Sequence, residues 1–167
     1  MTKTPDIKEF WTLLGMRAIG AAVVTANGPE GPAGFLGLSA THVTANPPIM
    51  LVSVGRKTSA LAAVTESGSF AINYLPKERE DLVPLFGGWG DAKGADRFET
   101  GEWTTLTTGS PILTEAVGAI DCQVDDAIER HDVIIFLGRI VDWVRDGEKQ
   151  PLISFAGGYL QLAQGLR

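Results

Sequence analysis

The chain has 167 residues, 44% of them apolar and 20% charged, which suits a folded globular protein with room for a real core and argues against disorder. Fourteen basic against twenty acidic residues leave a net charge of −6, which disfavours nucleic acid and anionic membranes as partners while leaving an anionic small ligand open. The longest apolar run, Val133 to Leu137, is far too short to cross a bilayer, and a single cysteine, Cys122, excludes an internal disulfide. No signal-peptide pattern opens the sequence, so a cytoplasmic location is the expectation.

Residues 4 to 17 read as a helix, with Thr4 as N-cap, Pro5 at the first helical position, and Ile7, Phe10, Trp11 and Leu14 on one face. Gly20 to Ala26 and Ala33 to Thr41 read as two strands of a hairpin, joined by the turn-rich Asn27 to Pro32. Pro47-Pro48 interrupts the ladder and holds Asn46 extended or in a turn. Ile49 to Val54, apolar on both faces, is expected as a central buried strand. Thr58 to Ser67 reads as a helix capped by Thr58 and closed by Gly68, and Ser69 to Leu75 as another strand.

Lys77 to Phe86 suggests a short helix weakened by Pro84, and Gly87 to Gly94 a surface loop. Val117 to Val124 alternates, with Ile120, Cys122 and Val124 on one face, and Val133 to Val144 is a long apolar strand. Asp146-Gly147 is a hairpin-type signal before strands at Leu152 to Phe155 and Tyr159 to Leu162. The chain thus reads as mainly β, one domain over residues 1–167, with strands closing into a small barrel and helices at its mouth.

The chemistry concentrates between Gly34 and Thr58. Glycine permits close backbone approach, Ser/Thr hydroxyls and main-chain N–H groups can hold polar ring edges or phosphate oxygens, and Arg56-Lys57 adds positive charge where a strand ends. The N-terminus of the helix after Thr58 carries partial positive charge, so Arg56, Lys57, Thr58 and Ser59 could surround one anion; a plain solvated turn is the alternative. Nucleophile, zinc, Walker and Gly-x-Gly-x-x-Gly motifs are absent from the sequence. Cys122 reads as an inert core thiol. His42 could approach a phosphate or face solvent, and His131 reads from pattern alone as an exposed turn residue.

Gly34-Phe35-Leu36-Gly37-Leu38-Ser39-Ala40-Thr41-His42-Val43-Thr44-Ala45-Asn46-Pro47-Pro48, with the basic turn Arg56-Lys57-Thr58, resembles the signature of the FMN-binding split-barrel flavin reductases. Further stretches follow the family's order: Gly20 to Ala26, Ser67 to Leu75, Lys93 to Phe98 with Trp103, and Ala119 to Val124. The resemblance implies a split barrel of Greek-key type, usually a homodimer, moving hydride from NADH or NADPH to FMN or FAD, commonly for a separate monooxygenase. It implies Gly37, Leu38, Ser39, Ala40 and Thr41 along the flavin ring, and Thr44, Arg56, Lys57 and Ser59 near its phosphate. His131, ahead of Gly138-Arg139-Ile140, looks like the family's nicotinamide-site histidine, although many members carry that histidine where this chain has Val133. Leu36 and Leu38 replace the family's usual Thr and Asn or Ser, so main-chain contacts would serve there. No catalytic side chain and no metal is expected, because the cofactors carry the chemistry. The alternative is an FMN-binding electron carrier that does not oxidise NAD(P)H.

Overall fold

A computed structural model describes residues 3–160 and 162. A helix, α1 (Ile7–Gly15), precedes a short strand β1 (Ile19–Gly20). Its N-cap is Asp6 rather than Thr4: Asp6 accepts from the Glu9 amide while the Glu9 carboxylate accepts from the Asp6 amide, a reciprocal box that Thr4, with Ile7 three residues on, cannot make.

The hairpin strands are β2 (Ala22–Gly28) and β3 (Gly31–Leu36). A second hairpin, β4 (Thr41–Ala45) and β5 (Pro48–Gly55), turns through Asn46 and Pro47, whose peptide bond is cis. Helix α2 (Ala60–Ser67) leads through Gly68, in the left-handed conformation at φ 63°, into β6 (Ser69–Tyr74). Thr58 makes a turn with Gly55 instead of capping α2, and Ser59 stands at the cap without a side-chain hydrogen bond.

The expected helix at Lys77 to Phe86 is two pieces, a 3₁₀ turn at Lys77–Arg79 and α3 (Leu82–Gly87), with Pro84 in the first turn of α3, where its missing N–H costs nothing. A small pair, β7 (Trp103–Thr105) with β8 (Pro111–Leu113), precedes two long strands, β9 (Gly118–Arg130) and β10 (Val133–Arg145). Strands β11 (Ile153–Phe155) and β12 (Gly158–Leu160) follow; the Gln161 step of the expected last strand lies outside the described residues. Asp146-Gly147 is a turn, but it does not join a hairpin: β11 pairs with β1 and β12, not with β10.

Seven strands form one antiparallel sheet in the order β3-β2-β6-β9-β10-β5-β4. The strand at Ile49 to Val54 is therefore next to an edge, not central. Its apolar faces are still explained, since Val52 and Val54 are buried and Leu51 and Ser53 half-buried. A flat sheet of this width would separate β3 from β4 by about 29 Å. Residues 37 to 40 alone join those edges, and the steps from Leu36 to Thr41 reach at most about 18 Å. The sheet must curl. It does not close by backbone pairing, because β3 and β4 each pair on one side only, so the closed barrel expected from composition is a split one.

Both faces of the curled sheet are covered, so β2 and β6 alternate between two cores. Val24, Ala26, Phe70 and Ile72 point inward with Val52, Val54, Cys122 and Phe136, under α2. Val23 and Ala71 point outward beneath Leu82, Val83 and Phe86 of α3 and Ile112 and Leu113 of β8. The outer layer is pinned by polar groups. Asn73, fully buried, accepts from the Leu113 amide at 2.8 Å and reaches the Val23 and Pro111 carbonyls with its own amide. Asp121, also fully buried, accepts from the Thr108 amide and hydroxyl at 2.7 and 2.5 Å, fixing the loop before β8.

Candidate functional site

The seam between the two sheet edges is stitched from both sides. The Gly37 amide donates to the Ala22 carbonyl on β2 at 2.7 Å. Ser39 reaches β5: its Oγ accepts from the Ser53 amide at 3.0 Å and donates to the Ser53 carbonyl at 3.2 Å. Gly37 is required here for close approach, since a Cβ would lie 2.5 Å from Cγ2 of Val24.

Along this seam runs a groove of about 1030 Å³. Leu36 to Thr41 form one stretch of its lining, Ser53, Gly55 and Thr58 another, and Asp132 and Val133 a third. Phe10, Trp11, Leu14 and Arg17 close it from the α1 side. Smaller concavities of about 440 and 420 Å³ lie elsewhere, the first almost wholly apolar and the second walled by paired charges. The seam groove combines apolar walls with convergent hydroxyls and backbone, the usual make-up of an organic cofactor site.

Gly37, Leu38, Ser39, Ala40 and Thr41 all line the groove. Because the Ser39 hydroxyl is engaged with β5, its contribution to a ligand falls to its amide, which has no acceptor among the described residues. Lys57 and Ser59 are exposed beside Thr58, and Lys57 has no ion-pair or hydrogen-bond partner among the described residues. Arg56 is turned to another task. Its guanidinium pairs with Glu129 at 2.6 Å and donates to the His131 carbonyl at 3.3 Å, tying β5 to the β9–β10 hairpin.

His131 occupies the tip of that hairpin at φ 47°, exposed, and does not line the groove, whereas its neighbours Asp132 and Val133 do. Thr44 and His42 sit on the exposed edge strand β4, outside the lining. Sequence reasoning did not single out Ser53, Asp132 or the α1 wall. Asp132 and Val133 are brought in by the two-residue loop after Arg130, and only the β9–β10 register reveals that.

Tyr74 also lines the groove. Burial first, and the nearby Cys122 sulfur second, raise its phenol above the ordinary range, so it remains a neutral hydroxyl through mildly alkaline solution. Cys122, fully buried, is pushed up to about 12 by burial and then by Asp121, consistent with an inert core thiol. Among the described residues no cluster of His, Cys, Asp or Glu could hold a metal ion.

The model of the flavin reductase like domain matches residues 16–163. This chain belongs to that family. An FMN reductase (NADH), RutF, of Ancylobacter novellus is 37% identical over 165 residues, covering 96% of this chain and 89% of the relative. Among solved structures, the flavin reductase PheA2 superposes with TM-score 0.85 at 29% identity, covering 96% of this chain and all of that one. The NADH:FAD oxidoreductase SgcE6 of Streptomyces globisporus C-1027 gives TM-score 0.85 at 26% identity over 98% of this chain and 99% of its own. The mainly β split barrel is thus the family fold, and no helix among the described residues is long and apolar enough to cross a membrane.

Proposed function

We propose that this chain, as a single flavin reductase-like domain, oxidises NADH and reduces FMN or FAD, supplying the reduced flavin to a separate monooxygenase. The observation that carries the reading is the seam groove. Its polar lining is backbone, hydroxyls and two charges, Arg17 and Asp132, without ion-pair partners among the described residues, and its volume of about 1030 Å³ is large for one small ligand. A family member that resembles this chain along nearly its whole length is named an FMN reductase (NADH).

The residues present fit a flavin. Gly37 to Thr41 would lie along the ring, with the Ser39 amide free to donate to a ring carbonyl or nitrogen. Lys57, Ser59 and the first amides of α2 would hold the phosphate, where a helix N-terminus and an unpaired ammonium act together. When bound, the flavin accepts a hydride from the nicotinamide, so the protein is asked for orientation and exclusion of water rather than for an acid or base. The apolar walls of Phe35, Leu36 and Leu38 exclude water from the ring face. Thr44 on the edge strand and Arg56, held by Glu129, contribute to the frame around the site rather than to its lining.

The working unit is a homodimer, supported by the apolar surface that Val141, Trp143 and Val144 leave exposed on β10. Sedimentation of the purified chain checks this, with Trp143→Glu expected to give monomer. Mixing the chain with NADH and FMN should abolish the nicotinamide absorbance and bleach the flavin without oxygen. Flavin that binds and is never reduced would replace this reading with that of an electron carrier.

A further inference from the structure

Helix α1 buries none of its own residues, yet Phe10, Trp11 and Leu14 form one wall of the groove. The Phe10 and Trp11 rings pack edge to face, centroids 5.2 Å apart. This wall lies before the span 16–163 over which the family model matches. Arg17 follows the helix and lines the same groove. Among the described residues its guanidinium has no carboxylate and no hydrogen-bond acceptor, whereas Arg56, Arg79 and Arg139 are all paired with carboxylates. The one other charged side chain in the lining is Asp132, at the hairpin lip. The groove therefore offers an anionic ligand a guanidinium in the same lining as the aromatic rings of α1, distinct from the Lys57 and α2 approach. Guanidinium suits phosphoryl oxygens because it can donate two parallel hydrogen bonds.

We propose that Arg17 pairs with the pyrophosphate of the nicotinamide dinucleotide and that Trp11 stacks on its adenine, so that α1 is the dinucleotide wall of the groove. The proposal rests on the flavin reductase reading, in which two anionic cofactors share one groove. Continuity of this wall with the Gly37 to Thr41 segment, and the unpaired cation within it, favour a nucleotide over a second copy of the chain as the occupant.

ADP-ribose, which carries the adenine and pyrophosphate but no nicotinamide, is the probe, titrated calorimetrically into the flavin-free full chain. Arg17→Gln should weaken its binding about tenfold, the loss of one charge-assisted contact. Trp11→Ala should weaken it by a similar factor, about tenfold, through lost base stacking. Arg17→Lys should weaken it less than Arg17→Gln, since lysine keeps the charge but not the paired donors, and FMN affinity should be unchanged in all three variants. Wild-type protein that ignores ADP-ribose, or Arg17→Gln that binds it equally well, would overturn the proposal. So would a parallel loss of FMN affinity, or a changed sedimentation coefficient in Trp11→Ala, which would assign α1 to the flavin or to a second copy. NADH turnover with FMN by the wild type decides the underlying reading separately.

Discussion

Gly138 lies where β10 crosses the inner core, and it is the position where one added methyl should do most harm. A Cβ there would sit 2.5 and 2.6 Å from Cζ and Cε1 of Phe70 and 2.8 Å from Cβ of Cys122. Ordinary carbon contacts are roughly 3.5–4.0 Å, so the overlap is about 1 Å against two side chains at once. Neither can yield cheaply, because Phe70 and Cys122 are both fully buried beneath α2 and the sheet. Overpacking of this kind costs about 1–3 kcal/mol, and the Gly→Ala gain in backbone entropy returns at most about 1. A net loss of about 1–2 kcal/mol should lower the melting temperature of Gly138→Ala by about 2–8 °C for a chain of this size. Circular dichroism melts and urea titrations of the two proteins measure it directly. The double variant Phe70→Leu/Gly138→Ala should be more stable than the sum of the single losses, because the smaller side chain vacates the space the methyl needs. An unchanged melting temperature in Gly138→Ala, or strict additivity with Phe70→Leu, would refute the reasoning.

Replacing Lys57 with Glu should weaken FMN binding about tenfold to a hundredfold, measured by flavin fluorescence quenching, as one charge-assisted contact becomes a repulsion; unchanged affinity would remove Lys57 from the phosphate site. Asn73→Ala should lower stability by roughly 3 kcal/mol, or about 6–12 °C, because it opens a cavity and leaves the buried Leu113 amide without its acceptor. The Cys122 thiol gives a signed pH dependence. Its folded value of about 12 lies above its unfolded value of roughly 8.5, so the folded state keeps a proton that the unfolded state releases. That residue contributes no pH dependence below the unfolded value, and stability then falls with rising pH up to the folded one. Urea midpoints of wild type and Cys122→Ala between pH 8 and about 10.5 should therefore converge as pH rises.

Much of the barrel is legible in the sequence because period-two alternation survives wherever one face of a strand meets the core. Ile120, Cys122 and Val124 share the inner core as their spacing predicts. The same signal stops at Val124, yet β9 runs on to Arg130. Asp125 to Arg130 are held in the ladder by β10, and Ala127 and Ile128, adjacent and therefore on opposite faces, set no period-two pattern there. The α1 cap was legible too, but both Thr4 and Asp6 are cap residues, and only the Glu three positions after Asp6 discriminates. At the site, the Gly37 to Thr41 segment is marked by small and hydroxyl residues. What each group does is another matter: Ser39 turns its hydroxyl to Ser53, and Arg56 turns to Glu129. Such engagements join residues far apart in sequence, and local pattern cannot foretell them. Position of β5 in the sheet is the clearest case, since this apolar strand lies between β10 and the exposed edge strand β4, and the curl of the barrel covers its inner face.

A crystal structure of the chain grown with FMN tests the central claim most directly. The account predicts the isoalloxazine in the seam groove against Gly37 to Thr41, with its phosphate at Lys57 and the start of α2. Flavin density elsewhere on the barrel, or a groove filled by the protein's own side chains, would contradict it.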